Sequence, residues 1–136
     1  MVTKFFEFAI KTNKREEIID ITERVKSIVE KAGIKQGIAL IYVPHATASI
    51  IINENYDANV CKDILAWLKK QVPKGIWLHD AIDNNGDSHI KASLLGSSQI
   101  VPFKNGKLLL GTWQGIGFVE LDGPRQRKIY IMLIGE

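Results

Sequence analysis

His45, His79 and His89 each stand where an apolar run meets a polar segment: His45 follows GIALIYVP, His79 follows IWL, and His89 opens HIKASLLG. Such junctions are where a rigid scaffold presents side chains to a site. At the first position of a helix, His89 would feel the positive end of the backbone dipole. That favours neutral imidazole, the form that binds a metal. Three neutral imidazoles with one open coordination position make a catalytic zinc arrangement. Asp80, Asp83 and Asp87 lie close enough in sequence to orient the ring nitrogens. No HxxxH or HExxH spacing is present, so unconnected structural histidines also account for the pattern.

A second group lies in GTWQGIGFVELDGPRQR, residues 111–127. Strand alternation puts Glu120 on the same face as Ile116 and Phe118. If that face is the core, the carboxylate sits at its rim and needs an arginine or a metal as partner. Arg125 and Arg127 share a face with Ile129, Ile131 and Leu133, and fork-shaped guanidinium groups there suit phosphate or carboxylate. A polar turn with solvated arginines is the plainer reading. Trp113 and Gln114 serve packing and a sheet-end hydrogen bond, or else a stacking platform. Glu54 ends IIINEN between Asn53 and Asn55, as a strand-end carboxylate in water or an acid/base.

The elements that must position these residues are strands and helices in alternation. KFFEFAIKT reads as a strand with Phe6, Phe8 and Ile10 on one face. EEIIDI makes a hairpin with it, followed by a helix capped at Thr22, striped by Val25, Ile28, Val29 and Ala32, and stopped at Gly33. GIALIYVP suits a central strand buried on both faces. Asp57 caps a helix whose apolar face is Val60, Ile64, Trp67 and Leu68, ending near Val72-Pro73. An acidic, asparagine-rich loop precedes a short helix capped by Ser88 and stopped by Gly96. SQIVPF and KLLLGTW flank an Asn105-Gly106 hairpin, and GIGFVEL and RKIYIMLI flank a turn at Asp122-Gly123-Pro124. The expected architecture is α+β over residues 1–136, a single compact domain of mostly antiparallel sheet, sandwich-like, with covering helices.

Composition narrows the partners. With 46% apolar and 24% charged residues in 136, the chain is long enough to bury a core, and no apolar run approaches the length of a membrane span. The first residues lack the continuous apolar stretch of a signal peptide, so a cytoplasmic location is expected. Cys61 is the only cysteine and reads as a small hydrophobe on a helix. The net charge of +3 comes from basic residues spread along the chain. An anionic small molecule suits that charge; neither a membrane nor nucleic acid is an expected partner.

The segments HATASIIINEN, WLHD, DSHIKASLLG and NGKLLLGTWQGIGFVELDGPR, in this order and spacing, resemble the YjbQ-like UPF0047 family from about residue 10 to the end. The resemblance implies a compact α+β fold, homotrimers, and a secondary thiamine-phosphate-synthase activity. That reaction joins a pyrimidine-methyl diphosphate to a thiazole phosphate with loss of pyrophosphate. It further implies a metal cluster of His45, His79 and His89, holding zinc or, with a diphosphate substrate, magnesium. The family commonly has His-Thr-Thr-Ala where this chain has His45-Ala46-Thr47-Ala48, leaving Thr47 as the hydroxyl there. On this reading Glu54 or Glu120 is the acid/base. Arg125, Arg127 and Lys91 offset a leaving diphosphate, Trp113 stacks on a heteroaromatic ring, and Thr47, Asn53 and Gln114 complete the substrate contacts. Metal-dependent phosphate-ester hydrolysis, or a non-catalytic trimer holding a metal or an anionic ligand, would use the same residues.

Overall fold

The strands of this protein sort into two antiparallel sheets because alternation gives most of them one apolar face to bury. In a computed structural model describing residues 1–136, strands β1 (Val2–Lys11), β3 (Gln36–Tyr42), β5 (Ser98–Lys104), β6 (Lys107–Leu108) and β8 (Gln126–Gly135) form the larger sheet. Their order is β1-β8-β3-β5-β6. Strands β2 (Glu17–Asp20), β4 (Ala48–Glu54) and β7 (Gln114–Glu120) form the smaller sheet, in the order β2-β7-β4. Between the two lies the core, with Ala39, Ile41, Ile129, Ile131 and Leu133 facing Ile50, Ile116 and Phe118. Helix α1 (Thr22–Lys31) adds Val25 and Val29 to it. The outer face of the smaller sheet carries Val119 and Leu121, packed with Ala92 of helix α4 (Gly86–Leu95) and Leu65 of helix α2 (Ala58–Gln71). The α+β architecture is as the residues indicate. No helix is long and apolar enough to cross a membrane.

Several local expectations change. β1 does not pair with β2; it runs beside β8 over its whole length, while β2 joins β7 in the other sheet. Thr22 is the first residue of α1 and not its cap; its N–H donates to Asp20 Oδ1 at 2.9 Å, and its hydroxyl accepts the Ile116 N–H at 2.9 Å. The strand buried on both faces is β7, where Gly115 through Glu120 are all buried. β3 is central but leaves Ile38 and Tyr42 exposed on its outer side. Trp67 is 58% exposed, so only the inner half of the α2 stripe packs. Asp57 does cap α2, accepting the Asn59 N–H at 2.9 Å. The Asn105-Gly106 hairpin also forms, both residues adopting positive φ. The second half of KLLLGTW is not strand; β6 is two residues long. The acidic loop contains a short helix, α3 (Asp80–Asp83).

The turn at Asp122-Gly123-Pro124 is not a hairpin. It carries the chain from β7 in one sheet to β8 in the other. Gly123 is required there, since a Cβ would lie 2.4 Å from the Lys14 carbonyl oxygen and 2.8 Å from Thr12 Oγ1. This crossing brings the ends of β1, β7 and β8 together, and the candidate site is built on that junction.

Candidate functional site

Glu120 is the last residue of β7 and Arg127 the second of β8, each on the core face of its strand. Because the two sheets meet at this edge, the side chains meet inside the protein. Arg127 Nε donates to Glu120 Oε1 at 2.9 Å and Oε2 at 3.1 Å, and Nη2 closes the fork on Oε2. The same carboxylate accepts the Thr12 hydroxyl at 2.7 Å and the N–H groups of Leu121 and Asp122 at 3.0 and 3.1 Å. Burial favours the protonated acid, but the donors from Arg127, Thr12 and Asp122 outweigh it and hold the Glu120 carboxyl below the usual glutamate range. Glu120 is fully buried and its lone pairs are filled. It therefore positions Arg127, and its expected place as an acid/base gives way to that role.

Arg127 Nη2 also donates to the Thr47 carbonyl and hydroxyl, at 3.1 and 2.9 Å. Its Nη1 has no partner within the protein, yet is not among the buried unsatisfied atoms. Its two N–H groups therefore open onto a cleft of about 590 Å3 that Arg127 lines with His45, Thr47, Asn85, His89 and Arg125. Arg125 is fixed by Asp122, through Nε to the carbonyl at 2.9 Å and Nη2 to Oδ2 at 3.1 Å. Asn85 Nδ2 holds that same Oδ2 at 2.7 Å.

His45 Nε2 accepts the Lys128 N–H at 2.9 Å. Burial, reinforced by Arg127 and Arg125, pushes its pKa down, so the ring is neutral near pH 7 and its proton is on Nδ1 as a donor. His79 and His89 meet edge to face, with centroids 4.7 Å apart, and His79 Nε2 lies 3.4 Å from Asp83 Oδ2. The two buried polar side-chain atoms without a partner are His79 Nε2 and Asn85 Oδ1, both acceptor-capable groups at this edge. Tested against a metal, this edge offers two neighbouring imidazoles, His79 and His89, and no group of three histidine, cysteine or carboxylate side chains. As a three-histidine set it does not fit, because no three such ligands converge and the His45 lone pair is already used.

The remaining candidates lie elsewhere. α4 begins at Gly86, so Ser88 is inside it and His89 is in its fourth position instead of its first. Lys91 is two residues on, about 200° around the helix, and turns away from the cleft. It is buried against Glu16 Oε2 at 2.6 Å and Asp87 Oδ2 at 3.1 Å. Asp87 binds Arg15 as well, and Asp80 accepts the N–H groups of Trp77 and Gly86, so neither orients a histidine. The register Ala48↔Glu120 and Glu54↔Gln114 places Asn53, Glu54 and Gln114 at the opposite end of the smaller sheet. Six residues of strand make that roughly 20 Å away. Gln114 Oε1 accepts the Gly111 N–H at 2.9 Å, and Trp113, 62% exposed, meets Tyr56 edge to face. The structure thus joins His45, Thr47, His89, Arg125 and Arg127, with His79 behind His89, and separates the other candidates from them. Sequence reasoning missed Thr12, Asn85 and Asp122. The last two lie in segments that read only as loop and turn, and nothing local marks Thr12.

These features define a small two-sheet α+β protein with an arginine–histidine cleft where the sheets meet. The chain belongs to the YjbQ-like UPF0047 family, whose model matches residues 6–136. It is 50% identical to a UPF0047 protein of Methanocaldococcus jannaschii, covering 100% of this chain and 98% of that one. It is 49% identical to the UPF0047 protein YugU of Bacillus subtilis, covering 93% and 96%. A crystal structure of a YbjQ-like protein of unknown function from Sulfolobus solfataricus superposes with a TM-score of 0.95 at 42% identity, covering 99% of both chains.

Proposed function

We propose that the arginine–histidine cleft binds a phosphorylated small molecule in the cytoplasm and that its chemistry is displacement of a diphosphate. The observation that carries this reading is Arg127 Nη1, a cation whose other nitrogens are locked by Glu120 and Thr47. Arg125 and the His45 Nδ1–H flank it, so donors are preorganised where charge develops on a leaving group. Thiamine phosphate formation makes this demand. The C–O bond of the pyrimidine-methyl diphosphate breaks, pyrophosphate leaves with the electron pair, and the thiazole nitrogen lone pair forms the new C–N bond. That nitrogen carries no proton to remove, so no carboxylate base is needed near the arginines.

His79 and His89 are the residues that would lend imidazoles to a divalent ion completed by the diphosphate oxygens, zinc by the preference of imidazole or magnesium carried by the diphosphate. Such an ion would supply further positive charge to the leaving group. For protein purified without a histidine tag and supplied with pyrophosphate, the expected result is one divalent ion per chain in the wild type and its loss in His89→Ala; a wild type that holds no metal overturns this part.

The reaction is tested with the pyrimidine-methyl diphosphate alone and with the thiazole phosphate added. The expected result is pyrophosphate and thiamine phosphate only when both are present. Phosphate released without the thiazole makes the protein a phosphate-ester hydrolase. Binding without turnover makes it a non-catalytic ligand-binding protein.

A homotrimer is the proposed assembly, joined through the outer face of the larger sheet, where Phe5, Tyr42 and Ile100 are 54%, 40% and 59% exposed. Sedimentation equilibrium should give the mass of three chains, lowered by Tyr42→Lys with Ile100→Lys; a monomeric wild type contradicts it.

A further inference from the structure

Beyond the histidines, the arginine cleft continues into a second chamber of about 450 Å3. His45, Ala46 and His89 line both spaces, so the two are contiguous and the histidines stand at their boundary. The second chamber is open because the residues around it are small. Along α4, Ala92 and Ser93 follow His89 by three and four positions and so share its side of the helix. Gly96 ends that helix and Ser97 leads into β5. The loop between β3 and β4 supplies the remaining wall, with Ala46 exposed.

The two spaces differ in charge. Arg125 and Arg127 line the first, together with Asp83 and Asp122. No lysine, arginine, aspartate or glutamate lines the second. Apart from the histidines, its polar side chains are the hydroxyls of Ser93 and Ser97, and Ser93 Oγ already donates to the His89 carbonyl at 2.9 Å. An ionised group placed there would leave water without gaining a partner of opposite charge. A neutral ring pays no such cost, and the volume is within the range of small-molecule pockets.

Given a diphosphate on Arg127, which is the reading proposed above, we infer that its organic body is uncharged, about the size of a single ring, and seated in this second chamber. The ligand then spans the histidine boundary, with its phosphates on the arginine side and its body against Ala46, Ala92, Ser93 and Gly96. Ser93 and Ser97, which line no part of the arginine space, become the residues that set which diphosphate is held.

The full-length protein is titrated by calorimetry with inorganic pyrophosphate, methyl diphosphate, phenylethyl diphosphate and carboxyphenylethyl diphosphate. Methyl and phenylethyl diphosphate carry the same charge, so their ratio reports the body alone. The expected result is binding of the phenylethyl ester about five- to twentyfold tighter than the methyl ester, as partial burial of one ring gives. The carboxyphenylethyl ester should bind no tighter than the methyl ester. Ser93 is exposed on α4, and Ser93→Lys should reverse the order of the two ring esters by supplying the missing cation. By NMR, the amide signals of Ser93 and Gly96 should shift with the phenylethyl ester and stay still with the methyl ester. Equal affinity for the methyl and phenylethyl esters while pyrophosphate still binds would overturn the assignment and leave the arginine cleft standing. A carboxylate-bearing ring that shares the full gain in the wild type, or a ring gain without shifts at Ser93 and Gly96, would do the same. Failure of all four probes to bind would remove the diphosphate site itself, and this assignment with it.

Discussion

Replacing Glu120 by alanine is expected to lower the unfolding free energy by about 3–5 kcal/mol, read as a lower urea midpoint at unchanged slope. The magnitude follows from what is left behind. Arg127 is 2% exposed, and without Glu120 its buried guanidinium loses Nε and part of Nη2 as paired donors. Thr12 loses its acceptor, and the Leu121 and Asp122 N–H groups at the sheet crossing lose theirs. Acid sensitivity should change with it. The Glu120 carboxyl is held below its ordinary pKa. It therefore stabilises the fold above the unfolded-state pKa, and that contribution disappears as pH falls through the lower, folded-state value. Wild-type stability should decline through this acid range, and Glu120→Gln should decline less steeply from a lower starting point. A Glu120→Ala protein as stable as wild type would mean that the pair is not formed as described.

Arg127→Lys is expected to keep the fold and lose the ligand. A lysine can still reach Glu120 as a point charge, but it cannot bind that carboxylate, the Thr47 hydroxyl and a ligand in the cleft together. The dissociation constant for inorganic pyrophosphate should rise by about tenfold or more, equivalent to about 1.4 kcal/mol or above, while the urea midpoint moves much less than for Glu120→Ala. Lys69→Ala, on the exposed side of α2, should leave pyrophosphate binding unchanged and serves as the charge control. Calorimetric titration of the three proteins checks this. Equal affinity in wild type and Arg127→Lys would remove the arginine from the binding account.

Much of this site was legible because alternation in a strand is a local property. Ile116, Phe118 and Glu120 share a face in β7, as do Arg127, Ile129 and Ile131 in β8, so two charged groups at the ends of apolar faces had to find partners. Of the two partners considered for Glu120, an arginine and a metal, the structure supplies the arginine. What could not be read was which faces are covered and which strands are neighbours. Ile38 and Tyr42 are as apolar as a buried strand requires, yet no layer of this chain lies on them. Phe6 and Ile10 fit a hairpin with β2 as well as the long pairing with β8, because sheet order depends on contacts more than 100 residues apart. A helix start was displaced by three residues, from His89 to Gly86, and its consequence is larger than the shift. Asp87 and Lys91 fall on one side of α4 and His89 on the other, which takes Lys91 out of the cleft. Distance along a strand separated Glu54 from Arg127, a fact visible only once β4 and β7 are paired in register.

The most direct test of the central claim is an NMR titration of the wild-type protein with inorganic pyrophosphate, observing the arginine side-chain nitrogens and the histidine rings. Binding in the cleft predicts saturable shifts at the Arg127 guanidinium and at His45 Nδ1, with Arg125 following and Arg15 and Lys91 unmoved. Pyrophosphate that binds while Arg127 and His45 stay still, or that shifts Arg15 and Lys91 in their place, would contradict it.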